Sequence, residues 1–283
     1  MIAATEIFCL NEKGKRHNNE DSIHPQKGHA TASDNLFIVC DGVGGENKGE
    51  VASEIVCTSI YHHIKEQEGS LPDRRRSIER AVIYASQKLA EYAAEHASAK
   101  RMSTTLSLVL LGRHSVTAAW CGDTRIHHIR DGRILWKSED HSLVQELVKR
   151  REISPLEARS HPNKNIITRS LSAMGTNNTV DFYEITDCRN NDFFLLCTDG
   201  FLEQIDDDAI HAVLNNKETN KEQAFFKLCD GKTRDNFSMY LVRVTGPEQT
   251  RSPGSRAALR TFLIILICIA CIIFLFLWIR KDD

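Results

Sequence analysis

A succession of short strand-like runs, with helical patterns only before and after it, constrains the fold of this chain more than any other feature. Apolar and β-branched residues are concentrated in runs that follow one another directly, at Thr104–Leu111, Ser115–Cys121, Arg125–Arg130 and Arg133–Lys137. Asp131-Gly132, between the last two runs, is a typical hairpin turn. Because consecutive strands usually pair with their neighbours, whereas parallel sheets need helical crossovers, this order predicts an α+β fold.

The remaining patterns add further strands and helices to this succession, including a helix that begins within His141–Arg150. Apolar residues at helical spacing predict two long helices early, Gly49–Glu66 and Arg74–His96, and two short ones late, Asp207–Leu214 and Lys221–Cys229. Strand-like runs occur at Ile2–Leu10, Leu36–Cys40, Val180–Ile185, Asp192–Cys197 and Phe237–Val244, whereas Arg151–Asn178 is predicted to be irregular. Two antiparallel sheets packed face to face, each covered by helices, accommodate this order in a four-layer αββα sandwich.

Composition excludes some classes of protein and indicates a compartment. The net charge of the 283 residues is −2, so no global field favours nucleic acid, and we expect no nucleic-acid partner. The nine cysteines are scattered, and the only CxxC spacing, Cys268 to Cys271, lies in an apolar tail. Free buried thiols therefore fit better than a disulfide framework or a zinc site. Reduced cysteines and an N-terminus without a signal-peptide pattern predict a cytoplasmic main domain.

The C-terminal segment Thr261–Ile279 is strongly apolar. It has nineteen residues without a charge, and as a helix it would extend about 28 Å, close to the thickness of a bilayer core. The alternative is a buried core helix, but such helices seldom lack a polar face. The sequence thus predicts a main domain over 1–245, a flexible linker over 246–260, a transmembrane helix over 261–279 and a short tail over 280–283. We therefore expect a membrane protein with a single-pass C-terminal anchor.

The segment Phe37–Ser53 carries the most information about function. A strand-like run ends on Asp41, a glycine-rich turn begins at Gly42, and a helix begins near Gly49. A carboxylate at a strand end beside such a turn is suited to a metal or a phosphate, although an ordinary strand–turn–helix connection has the same pattern. A nucleotide-binding loop is less suitable, because the turn lacks the GK[ST] ending.

Further acidic residues lie at strand boundaries. Asp199 precedes Gly200 as Asp41 precedes Gly42, Asp123 and Asp235 flank other strands, and Glu20-Asp21 follow the first strand. If these carboxylates converge, their mutual repulsion requires cations, and an all-oxygen ligand set suits Mg²⁺ or Mn²⁺. Two such ions could activate a water for attack on phosphorus, and Arg16 could orient the phosphate.

These segments together resemble a known family. GKRHNNEDS, FIVCDGVGGENKGEVAS, STTLSLVLL, WCGDTRIHHIRDG, EDHSLVQELV, HPNKNIITRSLS, DFFLLCTDGFLE and DNFSMYLV occur in the order found in the metal-dependent protein phosphatase (type 2C) family, in its bacterial form. The resemblance covers about residues 4–245. It implies a β-sandwich between helical pairs and hydrolysis of phosphoserine and phosphothreonine by a metal-bridged water. Its partners would be phosphorylated proteins made by a serine/threonine kinase.

The resemblance also implies a role for individual residues. Asp41 would bridge two Mn²⁺ or Mg²⁺ ions, which the Gly42 carbonyl, Asp199 and Asp235 would also bind. Asp123, with Asp199, would hold a third, weaker ion. Arg16 matches the phosphate-binding arginine of the family. Glu20 and Asp21 match two acids that hold metal-bound waters, and Asn236 matches the asparagine after the last aspartate.

One departure from the family and one alternative remain. Some members carry a histidine, proposed as the general acid, where this chain has Val43, so the proton for the leaving group must come from another group. The segment Glu152–Thr179 matches the variable flap of the family. His141 matches a family motif, and we interpret it as a structural residue or as one that supports the residues of the site. The alternative function is a catalytically weak, phosphoprotein-binding scaffold at the membrane.

Overall fold

Two antiparallel sheets form the centre of the computed structural model, which describes residues 1–43, 48–67, 73–175, 178–216 and 220–247. Residues Met1–Pro247 form one compact unit. The strands are β1 (Ala4–Glu12), β2 (Asp21–His24), β3 (Leu36–Val43), β4 (Ser103–Thr104), β5 (Leu106–Leu111), β6 (Val116–Cys121), β7 (Arg125–Arg130), β8 (Arg133–Lys137), β9 (Leu171–Ser172), β10 (Asp181–Ile185), β11 (Phe193–Cys197) and β12 (Phe237–Val244).

The strand order places both ends of the described unit in one sheet. Within the described residues, the first sheet has five strands in the order β1-β12-β11-β7-β8. The second has seven, in the order β10-β6-β5-β3-β4-β9, with β2 paired to β3. Strand β1 pairs with β12 from Ala4 opposite Val244 to Glu12 opposite Phe237. Strand β12 therefore lies between β1 and β11. Asp199 follows shortly after the C-terminal end of β11.

Alternation along the strands divides the apolar residues between three layers of core. Phe37 and Val39 of β3 point between the sheets, where they pack with Phe194 and Tyr240. Leu36, Ile38 and Cys40 of the same strand point to the opposite face, under the two long helices. A third cluster covers the outer face of the first sheet, where Leu195, Cys197, Met239 and Leu241 meet Phe201, Ile210 and Phe225 of the late helices.

The helices cover the two outer faces, as the sequence predicted. Helices α1 and α2 lie on the second sheet, and α5, α6 and α7 lie on the first. Asp73, at the N-cap of α2, accepts a hydrogen bond from the Arg76 amide, which explains where that helix begins. The helix bounds are α1 (Gly49–Glu66), α2 (Arg74–Glu95), α3 (Leu143–Lys149), α4 (Pro155–Ser160), α5 (Asp199–Leu202), α6 (Asp207–Asn215) and α7 (Lys221–Cys229), and a 3₁₀ turn follows α2 at Ala97–Ala99.

The secondary structure contains short elements that the sequence prediction missed, among them β2, β9, α4 and α5. Strand β2 was missed, because four residues on the edge of a sheet give too short a pattern. Helix α4 lies inside the segment predicted to be irregular, although its capping box was present in the sequence as Ser154 and Glu157, with Pro155 at the first helical position. The Asp131-Gly132 hairpin was predicted correctly, and both residues have positive φ, 50° and 72°.

The predicted membrane anchor is corrected. Within the described ranges, no helix is both long enough and apolar enough to cross a bilayer. The long helices α1 and α2 each bury one face against the second sheet and expose charged residues on the other. The described architecture is thus the four-layer sandwich alone, and the single-pass anchor and membrane location are not supported. The segments behind that prediction, 261–279 and the tail 280–283, lie outside the described residues.

Candidate active site

Asp41 and Gly42 lie near the C-terminal end of β3, and their backbone is hydrogen-bonded to residues on both sides. The Asp41 amide donates to Thr105 Oγ1 at 3.0 Å, and its carbonyl accepts from Thr104 Oγ1 at 2.8 Å. The Gly42 amide donates to the Glu20 carbonyl at 3.0 Å. A Cβ on Gly42 would lie 2.2 Å from the Gly49 carbonyl oxygen, so only glycine allows the start of α1 to approach this closely. The Asp41 side chain therefore starts from a fixed backbone.

Asp21 lies directly opposite Asp41 in the pairing of β2 with β3. It is buried, and its Oδ2 accepts a hydrogen bond from Thr198 Oγ1 at 3.1 Å. The same Thr198 hydroxyl accepts from the Ser238 amide at 3.0 Å. Thr198 thus links Asp21 of the second sheet to β12 of the first. Sequence reasoning missed Thr198, although it immediately precedes Asp199.

Asp199 and Asp235 come together because β11 and β12 are neighbours. Asp199 begins α5 directly after β11, and Asp235 lies two residues before the start of β12. A Cβ on Gly200 would lie only 2.0 Å from the Asn236 carbonyl oxygen. Glycine at position 200 therefore lets the turn after β11 approach the start of β12, with both carboxylates on the same edge.

The acids of this edge form one electrostatic cluster. Burial, followed by repulsion from Asp21, Asp199, Asp123 and Asp235, raises the pKa of Asp41 well above its usual range. Burial, followed by repulsion from Asp199, raises the pKa of Asp21 to about 8 and that of Asp123 to about 7. Burial, followed by repulsion from Asp235, also raises the pKa of Asp199. Without a compensating cation, these groups resist ionisation.

The donor chemistry of this cluster fits hard divalent cations. Asp41 lies close enough to Asp199 to affect the pKa of the Asp199 carboxyl, and two carboxylates so close need a shared proton or a cation between them. Among the described residues, no three His, Cys, Asp or Glu side chains form a ready-made metal site. Mg²⁺ and ions like it commonly bind through one or two carboxylates and several waters, so a looser arrangement of acids still suits them.

Arg16 lies at the rim of the cluster. Its Nη2 donates to Asp235 Oδ2 at 2.6 Å, and this hydrogen bond raises the pKa of the guanidinium further. The Arg16 side chain is 57% exposed, so one side of its guanidinium faces solvent. A phosphate above the cluster could therefore reach Arg16.

Asn236 holds the segment that carries Arg16 and Glu20. Its side chain is buried, with Oδ1 accepting from the Glu20 amide at 2.8 Å. Its Nδ2 donates to the carbonyls of Lys13 at 2.8 Å and Asn18 at 2.7 Å. These contacts position the 13–20 segment against β12. Glu20 itself points toward the start of α1, where a Cβ on Gly49 would lie 2.7 Å from its Oε2.

Asp123 belongs to the turn between β6 and β7. The turn at residues 139–142, between β8 and α3, is hydrogen-bonded to this turn. Arg125 donates to both carboxylate oxygens of Asp140, at 2.7 and 2.6 Å. His141 accepts from the Gly122 amide at 3.0 Å.

Val43, the position of the proposed general acid in some family members, pairs with Ser103 in the ladder of β3 and β4.

Comparison with known proteins decides the family. The model of the family described as protein phosphatase 2C matches residues 13–230, most of the chain. The chain belongs to the protein phosphatase 2C family. The predicted resemblance is therefore confirmed, and with it the expected enzyme class, a phosphoprotein phosphatase, at the level of the family.

Two bacterial phosphatases are among the relatives of this chain in the protein phosphatase 2C family. The chain is 31% identical to the serine/threonine protein phosphatase PstP of Mycobacterium tuberculosis over 195 residues, 69% of this chain but only 36% of PstP. It is 30% identical to the serine/threonine phosphatase stp of Listeria monocytogenes, covering 80% of this chain and 90% of that protein. The chain thus spans about a third of one relative and most of the other.

Solved structures share the fold of this phosphatase 2C domain. The serine/threonine phosphatase Stp1 of Staphylococcus aureus has a TM-score of 0.74 at 28% identity, covering 87% of this chain and 98% of that one. The catalytic domain of PstP in complex with two manganese ions has a TM-score of 0.71 at 26% identity, covering 87% of this chain and 100% of that one.

Proposed function

We propose that this protein hydrolyses phosphoserine and phosphothreonine in proteins, using divalent metal ions. The observation that carries the proposal is the cluster of Asp41, Asp199 and Asp235 with Arg16 at its rim, in a chain of the phosphatase 2C family. The substrates are phosphorylated proteins, products of a serine/threonine kinase. The cluster explains why cations are needed, and the exposed guanidinium explains how a phosphate is recognised.

The chain's own residues divide this work. Asp41, the Gly42 carbonyl, Asp199 and Asp235 would hold two ions, Mn²⁺ or Mg²⁺, and Asp123 with Asp199 would hold a third, weaker one. When bound, such ions neutralise the carboxylates and make water a stronger nucleophile toward phosphorus. The manganese ions in the PstP catalytic domain support the choice of metal.

Arg16 would orient the phosphate. Its fork of donors matches two phosphate oxygens, and its contact with Asp235 keeps it directed toward the cluster. Asn236 would act by fixing the 13–20 segment, and Asp21 and Glu20 would order the water around the ions. Val43 has no exchangeable side-chain proton, so another group must protonate the leaving alkoxide.

The proposal is tested by phosphate release from a phosphothreonine peptide. Protein stripped of metal with EDTA should be inactive, and Mn²⁺ should restore turnover. Asp41→Asn should lower kcat by more than about a hundredfold, since even outer partners of metal ligands are worth 10–100-fold. Asp208→Asn, which removes an exposed acid in the first turn of α6, is the matched control and should retain activity.

The outcome also separates the proposal from its alternative. A folded protein that binds phosphopeptides but releases no phosphate with Mn²⁺ or Mg²⁺ would favour the phosphoprotein-binding scaffold. Full activity of the folded Asp41→Asn variant would contradict the assigned site.

A further inference from the structure

The turn at residues 139–142, between β8 and α3, is hydrogen-bonded to both backbone groups of Gly122. The Gly122 amide donates to His141 Nδ1 at 3.0 Å, and the Gly122 carbonyl accepts from the His141 amide at 2.8 Å. Gly122 has a φ of +99°, and a Cβ there would lie 2.5 Å from Thr105 Cγ2. His141 therefore hydrogen bonds to both the amide and the carbonyl of Gly122, the residue before Asp123. Replacing this glycine would strain the backbone.

The same histidine is joined to the flap, residues 152–179, described up to 175 and from 178. His141 Nε2 lies 3.1 Å from Asp181 Oδ2, and Asp181 Oδ1 accepts from Nη1 of the flap residue Arg169 at 2.7 Å. The His141 carbonyl accepts from the amide of the flap residue Thr168 at 2.8 Å. Two routes, one through the side chain and one through the backbone, therefore lead from His141 to the flap.

The hydrogen bonds assign the proton on the ring. A backbone amide can only donate, so Nδ1 of His141 must accept from Gly122, and Nε2 must carry the hydrogen that faces Asp181. The ring is 9% exposed and lies nearly parallel to the ring of Trp120, with an interplanar angle of 13°. His141 is therefore held in one orientation, with one nitrogen directed to each side.

We propose that His141 is a positioning residue that couples the flap to the Gly122–Asp123 turn. When the flap contacts a polypeptide substrate, its position is transmitted through Asp181 and His141 to the backbone that carries Asp123. The kinetic part of this proposal rests on the proposed phosphatase function. It implies that His141 matters more for a phosphopeptide, which extends over the flap, than for a small aryl phosphate.

A purely structural role makes a different prediction, and the chain offers a matched control. His128 is also a buried histidine whose Nε2 contacts a carboxylate, Asp192 Oδ2, at 2.8 Å, and its ring stacks on Phe194. None of its contacts in the described residues reaches the flap or Gly122. His128→Ala should therefore lower thermal stability without changing substrate preference.

The experiment compares full-length wild type with His141→Ala, His141→Asn and His128→Ala. Hydrogen exchange of the metal-free proteins reports on the amides of Gly122 and Thr168. Initial rates with Mn²⁺ compare a phosphothreonine peptide with p-nitrophenyl phosphate. Asparagine can still accept from Gly122 but is too short to reach Asp181, so it breaks only the side-chain route to the flap. The backbone bond from the Thr168 amide to the carbonyl of residue 141 remains in every variant.

For His141→Ala we expect exchange at Gly122 to accelerate about tenfold or more, the equivalent of one lost hydrogen bond. The Thr168 amide keeps its bond to the carbonyl of residue 141, and we expect its exchange to accelerate because the flap loses its side-chain link through Asp181. For His141→Asn we expect faster exchange in the flap alone. In that variant, kcat/KM for the peptide should fall about tenfold, while kcat/KM for p-nitrophenyl phosphate stays within about threefold of wild type.

Either of two results overturns the proposal. One is unchanged exchange at Thr168 in both His141 variants. The other is a peptide-to-aryl-phosphate preference that the His141 variants share with His128→Ala. If His141→Ala does not fold, His141→Asn decides. If wild type hydrolyses neither substrate, the proposed function fails, and the exchange measurement still decides the coupling.

Discussion

Replacing Gly200 with alanine tests whether close approach of two turns assembles the candidate site. The added Cβ would lie 2.0 Å from the carbonyl oxygen of Asn236 and 3.1 Å from Cβ of Asp235. The oxygen belongs to the backbone at the start of β12, so it cannot rotate away as a side chain would. The two segments must move apart by about 1 Å or more before the contact becomes tolerable.

This displacement should affect activity more than stability. Asp199 precedes Gly200 and Asp235 precedes Asn236, so both carboxylates move with the backbone. A misplacement of about 1 Å can cost about a hundredfold in rate, whereas overpacking costs about 1–3 kcal/mol of unfolding free energy. For a unit of this size, that loss lowers Tm by roughly 2–12 °C. We therefore expect Gly200→Ala to fold and to show a kcat about a hundredfold below wild type with p-nitrophenyl phosphate and Mn²⁺.

Gly28→Ala is the matched control for this substitution. Gly28 has a φ of +83°, which alanine disfavours, but a Cβ there would meet no atom within 4 Å. It should lose about 1–2 kcal/mol of stability through backbone strain and keep its kcat. A folded Gly200→Ala with a kcat within about threefold of wild type would refute the argument that this close approach sets the geometry.

Two further predictions concern Arg16 and His127. Arg16→Ala should lower kcat/KM for p-nitrophenyl phosphate by about tenfold or more, and Arg16→Lys should lie between, because lysine keeps the charge but lacks the fork; equal rates in initial-rate assays of all three would contradict the assignment. Burial, and then the nearby Arg125 and Lys137, lowers the pKa of His127 from 6.5 to about 3. The folded state thus resists protonation, so stability is complete above pH 6.5 and falls as the pH drops toward 3, by up to about 1.4 kcal/mol per unit. In urea denaturation at pH 7.5 and 5, His127→Phe should lose less stability than wild type; the same loss in both proteins would exclude this cause.

The sequence allowed the layers and most acids of the site to be predicted, because those features have local patterns. Uninterrupted strand-like runs indicated antiparallel sheets, and Asp41 and Asp199 were recognisable as acids between a strand and a glycine. Strand β2 was missed because its four residues are held by pairing with β3 and by contact with α1, which no local pattern records.

Roles that depend on contacts distant in sequence could not be predicted. Asn236 was predicted to be a site residue only through the family resemblance, yet its side-chain amide hydrogen bonds to backbone atoms of residues 13–20, more than 200 positions away. For His141 a structural role and a supporting role at the site both stayed open, because the sequence does not show that one ring nitrogen accepts from Gly122 while the other faces Asp181. Such assignments need the distances between atoms.

The most direct test of the central claim, that the acids form a cluster requiring divalent cations, is the shift in Tm when Mn²⁺ is added to metal-free protein. Wild type at 100 times the dissociation constant should gain about 2.7 kcal/mol, or roughly 5–10 °C. Without metal, Asp41→Asn should melt above wild type, because it removes a half-buried acid whose acidic neighbours repel its charge. Addition of Mn²⁺ should shift its Tm far less. A wild-type Tm that Mn²⁺ leaves unchanged, or an equal shift in both proteins, would contradict the account.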